Sequence, residues 1–436
     1  MMTLSFRQIA ALFLAAMAIK LCLIGSLISP LKTVWVERFE LSKGYDDVEY
    51  YEIARQMVKY DGLMFPKGDQ LQIYRTPVYP FFLAILGVLC KWQPLGMLVA
   101  QAALLSLAPV LLAFLLRRAE YPPGFAWLLA IDPISNILGV SFMTEGLFAI
   151  FLLAGFFFLL RAGQLLQRGL ALAAFSLAVL VKPSAQFFYV GLCLYLLLRF
   201  RPRTRTLLVI LLSALPLLGW MARNAQVAGL FVVSTQTDNS IMLPETIRAL
   251  EENAPARQLI GHICKNWAGE HGGGSIYASI MDNKLDFSGV ATAYILQHPV
   301  LFAKYHLLGM ARVLFGTCRA HVAMVFPVST KWSTAGWSVF NLVLAGFYGL
   351  FYLALLLTWR WRSFRHSTIW LSWLFVLYNV ALIGVLAYTT GGGLKRAPFV
   401  PFLIIALAGQ WHSLYGKHAA GPAGPAVRDA GVDLLP

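Results

Sequence analysis

Long apolar runs recur along this chain, and they constrain its fold more than any other feature of the sequence. Lipid offers the backbone no hydrogen-bond partner, so a run that crosses the bilayer must be helical. One crossing needs about 20 predominantly apolar residues. About ten runs approach that length, at Ile9–Ser29, Leu95–Leu116, Gly124–Val140, Glu145–Leu160, Gly169–Val181, Ser184–Leu198, Thr206–Trp220, Gly336–Thr358, Thr368–Tyr388 and Pro398–Leu414.

The composition agrees with these runs. Of the 436 residues, 59% are hydrophobic, 14% are aromatic and only 13% are charged, and the mean hydropathy is +0.68. Soluble domains typically carry about 25% charged residues. The sequence therefore predicts an all-α, polytopic integral membrane protein with about ten transmembrane helices, and it excludes a soluble multidomain protein.

Basic residues indicate how the helices are oriented. Four basic connections lie on one side if the helices alternate: Arg117–Arg118, Arg161 with Arg168, the arginines from Arg199 to Arg205, and those from Arg360 to Arg365. Cytoplasmic loops are enriched in Lys and Arg, so this side, with both termini, is predicted to be cytoplasmic. Of the 20 acidic residues, only Glu120, Asp429 and Asp433 then remain inside. We expect the chemistry on the outer face, and the net charge of +15 requires no nucleic acid.

Two predicted outer segments are long, at about 30–94 and 221–334. Each contains an apolar piece too short or too interrupted to cross comfortably, Val78–Cys90 and Pro299–Phe326. We expect both pieces to lie as helices at the membrane interface. Residues 1–415 form one predicted membrane domain, and the Gly-, Pro- and Ala-rich tail at 416–436 is predicted to be disordered.

The sequence predicts no cofactor. The chain has no CxxC, no HExxH and no glycine-rich phosphate loop, and its five cysteines lack the spacing of a zinc site. Cys264 and Cys318 could pair in an oxidising periplasm. Without a visible nucleotide site, an ATP-driven pump is disfavoured.

Two adjacent carboxylates, Asp46 and Asp47, begin an acidic, tyrosine-rich stretch in the first outer segment. In the simpler interpretation, they are solvated acids at the start of a helix, where the helix dipole favours them. In the other interpretation, one carboxylate takes a proton from a substrate hydroxyl while its neighbour orients a cation or a donor.

Glu145 and Lys182 each allow two interpretations as well. Glu145 follows the break at Asp132–Pro133, and it either lies at a helix N-terminus as a stabilising acid or points into a cavity beside Asp46. Lys182 ends a predicted span at the outer face. Its ammonium either reaches the headgroups or faces a lipid phosphate.

Three arginines on the outer side are candidates for phosphate contacts. Arg75 precedes the first interfacial helix, and it either anchors that helix to headgroups or binds a phosphate. Arg223 follows Trp220 at the start of the second outer segment. Arg396, with Lys395, forms the only basic pair on a short outer connection, against the usual trend of charge.

Five elements and a closing feature follow one another in a recognisable order. They are Asp46-x-x-x-Tyr50-x-x-x-Ala54, Arg75-Thr76-Pro77-x-Tyr79-Pro80, Thr144-Glu145-x-Leu147-Phe148, Lys182-Pro183, Trp220-x-x-Arg223-Asn224, and a basic residue before Pro398 and Pro401. In this order and topology, the chain resembles the GT-C superfamily of membrane glycosyltransferases. Within that superfamily, it is similar to bacterial relatives of protein O-mannosyltransferases and of the lipid A aminoarabinose transferase.

The resemblance implies an activity and a place for it. Such enzymes transfer a sugar from a polyprenyl-phosphate or diphosphate carrier to a lipid, glycan or protein acceptor, on the outer face of the bacterial cytoplasmic membrane. The implied general base is Asp46, with Asp47 as its neighbour and Glu145 as the second acid, and the reaction inverts in a single displacement. The implied donor-phosphate cations are Arg75, Lys182, Arg223 and Arg396. The other implied residues of the substrate cavity are Tyr50, Tyr79 and Asn224.

Two alternatives stay open beside this resemblance. A lipid or polysaccharide transporter or flippase shares the many spans and outer cations, although the sequence lacks the paired interrupted halves that transporters often show. A surface-polysaccharide polymerase or ligase uses the same carrier on the same face. Because Glu145 stands without the paired aspartates of metal-dependent relatives, no divalent metal is predicted.

Overall fold

The computed structural model describes residues 5–28, 46–60, 73–234, 295–316, 334–359, 367–389 and 392–419. These residues form helices, turns and short connections, and none of them lies in a β-strand. The all-α prediction is confirmed for this part of the chain. The α-helices are α1 (Phe6–Ile28), α2 (Asp46–Tyr60), α3 (Val78–Leu89), α4 (Pro94–Leu105), α5 (Leu107–Arg118), α6 (Ala126–Ala130), α7 (Pro133–Gly139), α8 (Glu145–Leu159), α9 (Leu165–Val181), α10 (Gln186–Arg199), α11 (Arg203–Ala228), α12 (Pro299–Phe315), α13 (Thr334–Leu357), α14 (Ser367–Thr389) and α15 (Val400–Ala419).

Helix length and composition agree with a multi-pass membrane protein. Within the described ranges, the segments long and apolar enough to cross a membrane are Phe6–Gly25, Pro94–Arg118, Arg203–Ala228, Gly336–Leu357 and Arg396–Tyr415. Shorter apolar helices lie at Val78–Leu89, Glu145–Leu159, Leu165–Val181 and Thr368–Leu382. Helix α15 continues to Ala419, into the predicted tail, and residues 420–436 lie outside the described part.

The apolar run at Gly124–Val140 is a discontinuous helix. Helix α6 ends at Ala130 and α7 begins at Pro133, so the helical backbone is interrupted between them. Proline suits the first helical position because the amide hydrogen it lacks has no partner there. The carboxylate of Asp132 accepts a hydrogen bond from the Ser135 amide at 2.7 Å and caps α7. The break expected at Asp132–Pro133 is confirmed.

The basic connections meet at one end of the helices. Arg118 donates to Gln167 Oε1 at 3.1 Å, and Arg168 donates to Thr206 Oγ1 at 2.5 Å. These contacts join three of the four basic connections, as alternating helices require. The fourth, at 360–365, lies outside the described residues.

Helices α2 and α3 lie at the opposite end. Helix α9 runs from Arg168 at the basic end to Val181, whose carbonyl accepts a hydrogen bond from Thr76 Oγ1 at 3.0 Å. Thr76 lies two residues before the start of α3, and α3 packs against α2. Helix α12, from the second long segment, packs along α14. The placement of α3 and α12 at a membrane interface stays a prediction.

Candidate active site

Arg75 connects the first two helices of the long N-terminal segment. The side chain is 4% exposed, and its Nη2 lies 2.5 Å from Glu49 Oε2. Its Nη1 donates to the Tyr50 hydroxyl at 3.2 Å, and the guanidinium carbon lies 4.7 Å from the Tyr50 ring centroid. Charge-assisted bonds of this kind are the strong ones. Arg75 therefore fixes the first turns of α2.

Thr76 places Arg75 beside the end of α9. Because Thr76 binds the Val181 carbonyl, the Arg75–Thr76 segment lies next to Val181 and Lys182. Lys182 Nζ lies 2.7 Å from Glu145 Oε1, with the two side chains 20% and 8% exposed. Two cations and one acid that the sequence singled out are thus brought to the same end of the bundle by three different segments.

Glu145 is the first residue of α8, where the helix dipole favours a carboxylate. Thr144, at the N-cap position, makes no side-chain capping bond and instead donates to Glu145 Oε2 at 3.4 Å. The Glu145 carboxylate is therefore held by Lys182 and by Thr144. Placement beside Asp46 is not tested, because the Asp46 side chain lies outside the described residues.

The motif at the end of α11 folds the following segment back onto the helix. Gly229 has φ +72°, a left-handed conformation that glycine adopts without strain. Trp220 Nε1 donates to Val233 O at 2.8 Å, and the fully buried Asn224 donates to Val232 O at 2.9 Å. Arg223 donates to Asn224 Oδ1 at 3.0 Å, and its guanidinium carbon lies 4.7 Å from the Trp220 ring centroid.

Ser234 joins this folded segment to the first long loop. Its Oγ donates to the carbonyl of Tyr74 at 2.5 Å, next to Arg75. Arg223, Arg75 and Lys182 therefore lie on neighbouring segments, although they are far apart in the sequence. Asn224 is predicted as a substrate-cavity residue, but its side-chain amide donates to the backbone carbonyls of Val232 and Val233.

Asp46 and Asp47 begin helix α2, and their side chains lie outside the described residues. Tyr50 follows Asp46 by one helical turn, and its hydroxyl accepts the Arg75 bond. Tyr79 packs edge-on against Tyr50, with ring centroids 5.0 Å apart, and donates to Gln101 Oε1 at 3.0 Å. The helix that carries Asp46 is thus anchored to Arg75 through Tyr50, one turn after Asp46.

Tyr51 is a further anchor of α2 that the sequence did not single out. Its hydroxyl donates to the carbonyl of Trp92 at 3.2 Å, and its ring stacks on Phe142 with centroids 5.8 Å apart. Burial raises the pKa of the Tyr51 phenol, so the hydroxyl stays protonated at neutral pH and remains a donor.

Arg396 lies in a second polar cluster. It is 2% exposed, and it donates to Leu314 O at 2.8 Å and to Gly316 O, at the C-terminal end of α12. A cation there complements the helix dipole. Its guanidinium carbon lies 4.1 Å from the Tyr348 ring centroid, and the Tyr348 hydroxyl donates to Asp132 Oδ1 at 2.5 Å. The role of Arg396 as a phosphate cation stays a prediction.

Arg396→Ala is expected to lower the stability of the folded protein by about 2–3 kcal/mol, because two carbonyls at the end of α12 lose a charged donor that is itself buried. The check is the melting temperature of the purified protein in detergent, with Arg312→Ala on the adjoining helix as the comparison. An unchanged melting temperature, combined with impaired donor use, would contradict this role and support a phosphate contact instead.

The rest of this buried cluster was not predicted from the sequence. Lys20, on α1, donates to Asn136 Oδ1 at 2.9 Å, and Asn136 in turn donates to the carbonyls of Ala130 and Asp132 at 2.9 Å. One signal could have revealed it: Lys20 is a cation inside the first apolar run, and ionisable residues within spans are functional candidates.

Metal ligation is not supported by the described side chains. Among them, no three His, Cys, Asp or Glu residues are grouped as metal ligands, and the Glu145 carboxylate is occupied by Lys182. Asp46 and Asp47 are outside that set, so the prediction of no metal stays untested. Cys264 and Cys318 also lie outside the described residues, whereas Cys22, Cys90 and Cys193 are free thiols.

Comparisons with known proteins give little further information. No protein-family model matches the chain, and no curated protein matches it. By structure, the chain is similar to ArnT from Cupriavidus metallidurans, crystallised in the apo state. The TM-score is 0.34 at 15% sequence identity, with 88% of this chain and 76% of that chain covered. A likeness of that degree defines neither the family nor the chemistry of this chain.

Proposed function

We propose that this protein is a glycosyltransferase of the bacterial cytoplasmic membrane. It transfers a hexosyl or pentosyl group from a polyprenyl-phosphate-linked donor to a hydroxyl of a lipid, glycan or protein acceptor on the outer face. The observation that carries the proposal is the meeting of Arg75, Lys182 and Glu145 at the end of the bundle remote from the basic connections. Cations beside a carboxylate suit a reaction in which a phosphate leaves and a hydroxyl loses its proton.

Lys182 and Arg223 are the cations assigned to the donor phosphate. An ammonium has three N–H donors, and Lys182 directs one of them to Glu145. Both side chains remain partly exposed, which leaves them accessible to a ligand. Positive charge placed in advance around the leaving phosphate stabilises the negative charge that develops there.

Arg75 and Tyr50 position the base. Glu49 and Tyr50 engage the guanidinium of Arg75, so the first turns of α2 are fixed beside Lys182. Asp46 starts that helix, and we assign it the removal of the acceptor proton, with Asp47 beside it. Attack of the acceptor oxygen on the anomeric carbon, opposite the leaving phosphate, inverts that centre. No metal or other cofactor is assigned to the reaction.

A lipid flippase is the second candidate, and the discontinuous helix at Asp132 favours it. Interrupted helices with polar groups near mid-membrane recur in transporters. Here the interruption is joined to Lys20 through Asn136 and to α13 through Tyr348. The two functions differ in where a lipid-linked sugar accumulates when the protein is missing.

The deciding experiment compares cells that lack the protein with the same cells carrying the native chain. Mass spectrometry of lipid extracts is combined with oxidation of intact spheroplasts by an impermeant periodate reagent. A transferase leaves an oxidisable polyprenyl-phosphate sugar on the outer leaflet when the protein is absent, and an envelope glycan loses that sugar. Accumulation on the inner leaflet alone would support the flippase and overturn the transferase.

A further inference from the structure

Lys20 lies within the apolar helix α1 and is 4% exposed. Its ammonium donates to Asn136 Oδ1 at 2.9 Å and to Ala16 O at 3.4 Å. An ammonium carries three N–H donors. The third has no acceptor among the residues that the structure describes. Because a buried donor without an acceptor is unfavourable, the third N–H favours a further acceptor beside it.

A cavity of about 30 Å³ adjoins Lys20. This volume exceeds the roughly 10–15 Å³ that one water molecule needs. Ser135 and Glu145 also line the cavity, together with Ala149, Ala397 and other mainly apolar residues. Both the Ser135 hydroxyl and the Glu145 carboxylate can accept hydrogen bonds.

We propose that this cavity is a water site, and that its water connects the ammonium of Lys20 to the carboxylate of Glu145. The water accepts from Lys20 and donates to Glu145 and Ser135, which gives it the two to four polar partners that buried water needs. Lys182 donates to Glu145 Oε1 at 2.7 Å. Lys20 is then a positioning residue for Glu145, and this inference stands independently of the transferase proposal.

Gly139 offers an independent way to disturb the site. A Cβ built on Gly139 lies 2.6 Å from Lys20 Cε and 3.1 Å from Cδ. Carbon atoms in contact normally lie about 3.5–4.0 Å apart. Gly139→Ala therefore displaces the ammonium while the positive charge is retained, whereas Lys20→Met removes the charge and keeps most of the side-chain volume.

Infrared difference spectroscopy of the purified full-length protein tests the proposal directly. Labelling all glutamates with ¹³C and subtracting the Glu145→Gln spectrum identifies the carboxyl band of Glu145. Exchange of H₂¹⁶O for H₂¹⁸O identifies bands of internal water. Arg168→Met is the matched control, because Arg168 is also 4% exposed but lies at the opposite end of the bundle.

We expect the Glu145 band to shift in Lys20→Met and in Gly139→Ala, with loss of one internal-water band, and to stay unchanged in Arg168→Met. An unshifted Glu145 band in Lys20→Met overturns the proposal. A shift of the same size in Arg168→Met also overturns it, since a general packing change then explains the result. If Lys20→Met does not fold, Gly139→Ala alone decides. Neither the Glu145 band nor the water band depends on transferase activity, so a failed transferase assay does not affect this test.

Discussion

Asp46→Asn is expected to reduce the rate of sugar transfer by about 10²–10⁴-fold, the range typical of general-base removal. Asparagine has nearly the same shape as aspartate but cannot accept the acceptor proton. Helix α2 is held by contacts of Arg75, Tyr51 and Tyr79, so the amount of folded protein should be preserved. Binding of the donor lipid should change little, because no phosphate cation is removed.

The measurement is the single-turnover rate in nanodiscs, with the donor lipid identified by the mass-spectrometric comparison. Glu52→Gln is the control, since it makes the equivalent carboxylate-to-amide change on the same helix. Asp47→Asn reports whether the neighbouring acid contributes. Native rates in Asp46→Asn would remove Asp46 from the mechanism and leave it as a helix-dipole acid.

Lys182→Met is expected to produce the second largest effect, because it changes both charge and pairing. Removing one preorganised charge-stabilising group typically costs about 10²–10³-fold in rate. The variant also leaves the Glu145 carboxylate, 8% exposed, without its 2.7 Å ion-pair partner. An unpaired buried charge lowers stability by about 1–3 kcal/mol or more. We therefore expect a lower melting temperature together with weak transfer.

The double variant Lys182→Met with Glu145→Gln separates these two contributions. A neutral amide no longer needs the ammonium, so the double variant should recover most of the lost melting temperature. Transfer should stay low, because the cation for the leaving phosphate is still absent. Recovery of transfer together with stability would show that Lys182 acts only as the partner of Glu145.

Much of the fold could be predicted from the apolar runs. Helices are found in every described part of the predicted spans, and the break at Asp132–Pro133 was visible as a proline after a capping residue. Contacts between helices could not be predicted. For instance, the bond from Arg118 to Gln167 and the packing of α12 along α14 join segments with no shared sequence pattern.

The candidate site was predicted in part. Arg75, Lys182 and Arg223 were selected as cations on the predicted outer side, and Glu145 as an acid at the start of a span; both are properties of the sequence. The residues that bind them could not be selected from the sequence. Glu49 binds Arg75, and Ser234 binds the carbonyl of Tyr74. Both are ordinary polar residues in the sequence, and they matter only because folding brings them within hydrogen-bonding distance of these partners.

The sequence by itself determined the class of protein, because lipid forces each long apolar run into a helix whatever its neighbours are. It also determined which charges are exceptional. Only the tertiary structure decided which charges meet. Lys20 was not singled out from the sequence, and Arg396 was a candidate phosphate cation, yet Lys20 adjoins the cavity that Glu145 lines and Arg396 holds the end of α12. Hydrogen bonds and ion pairs act over about 3 Å, and such proximity is created by helix packing rather than by order along the chain.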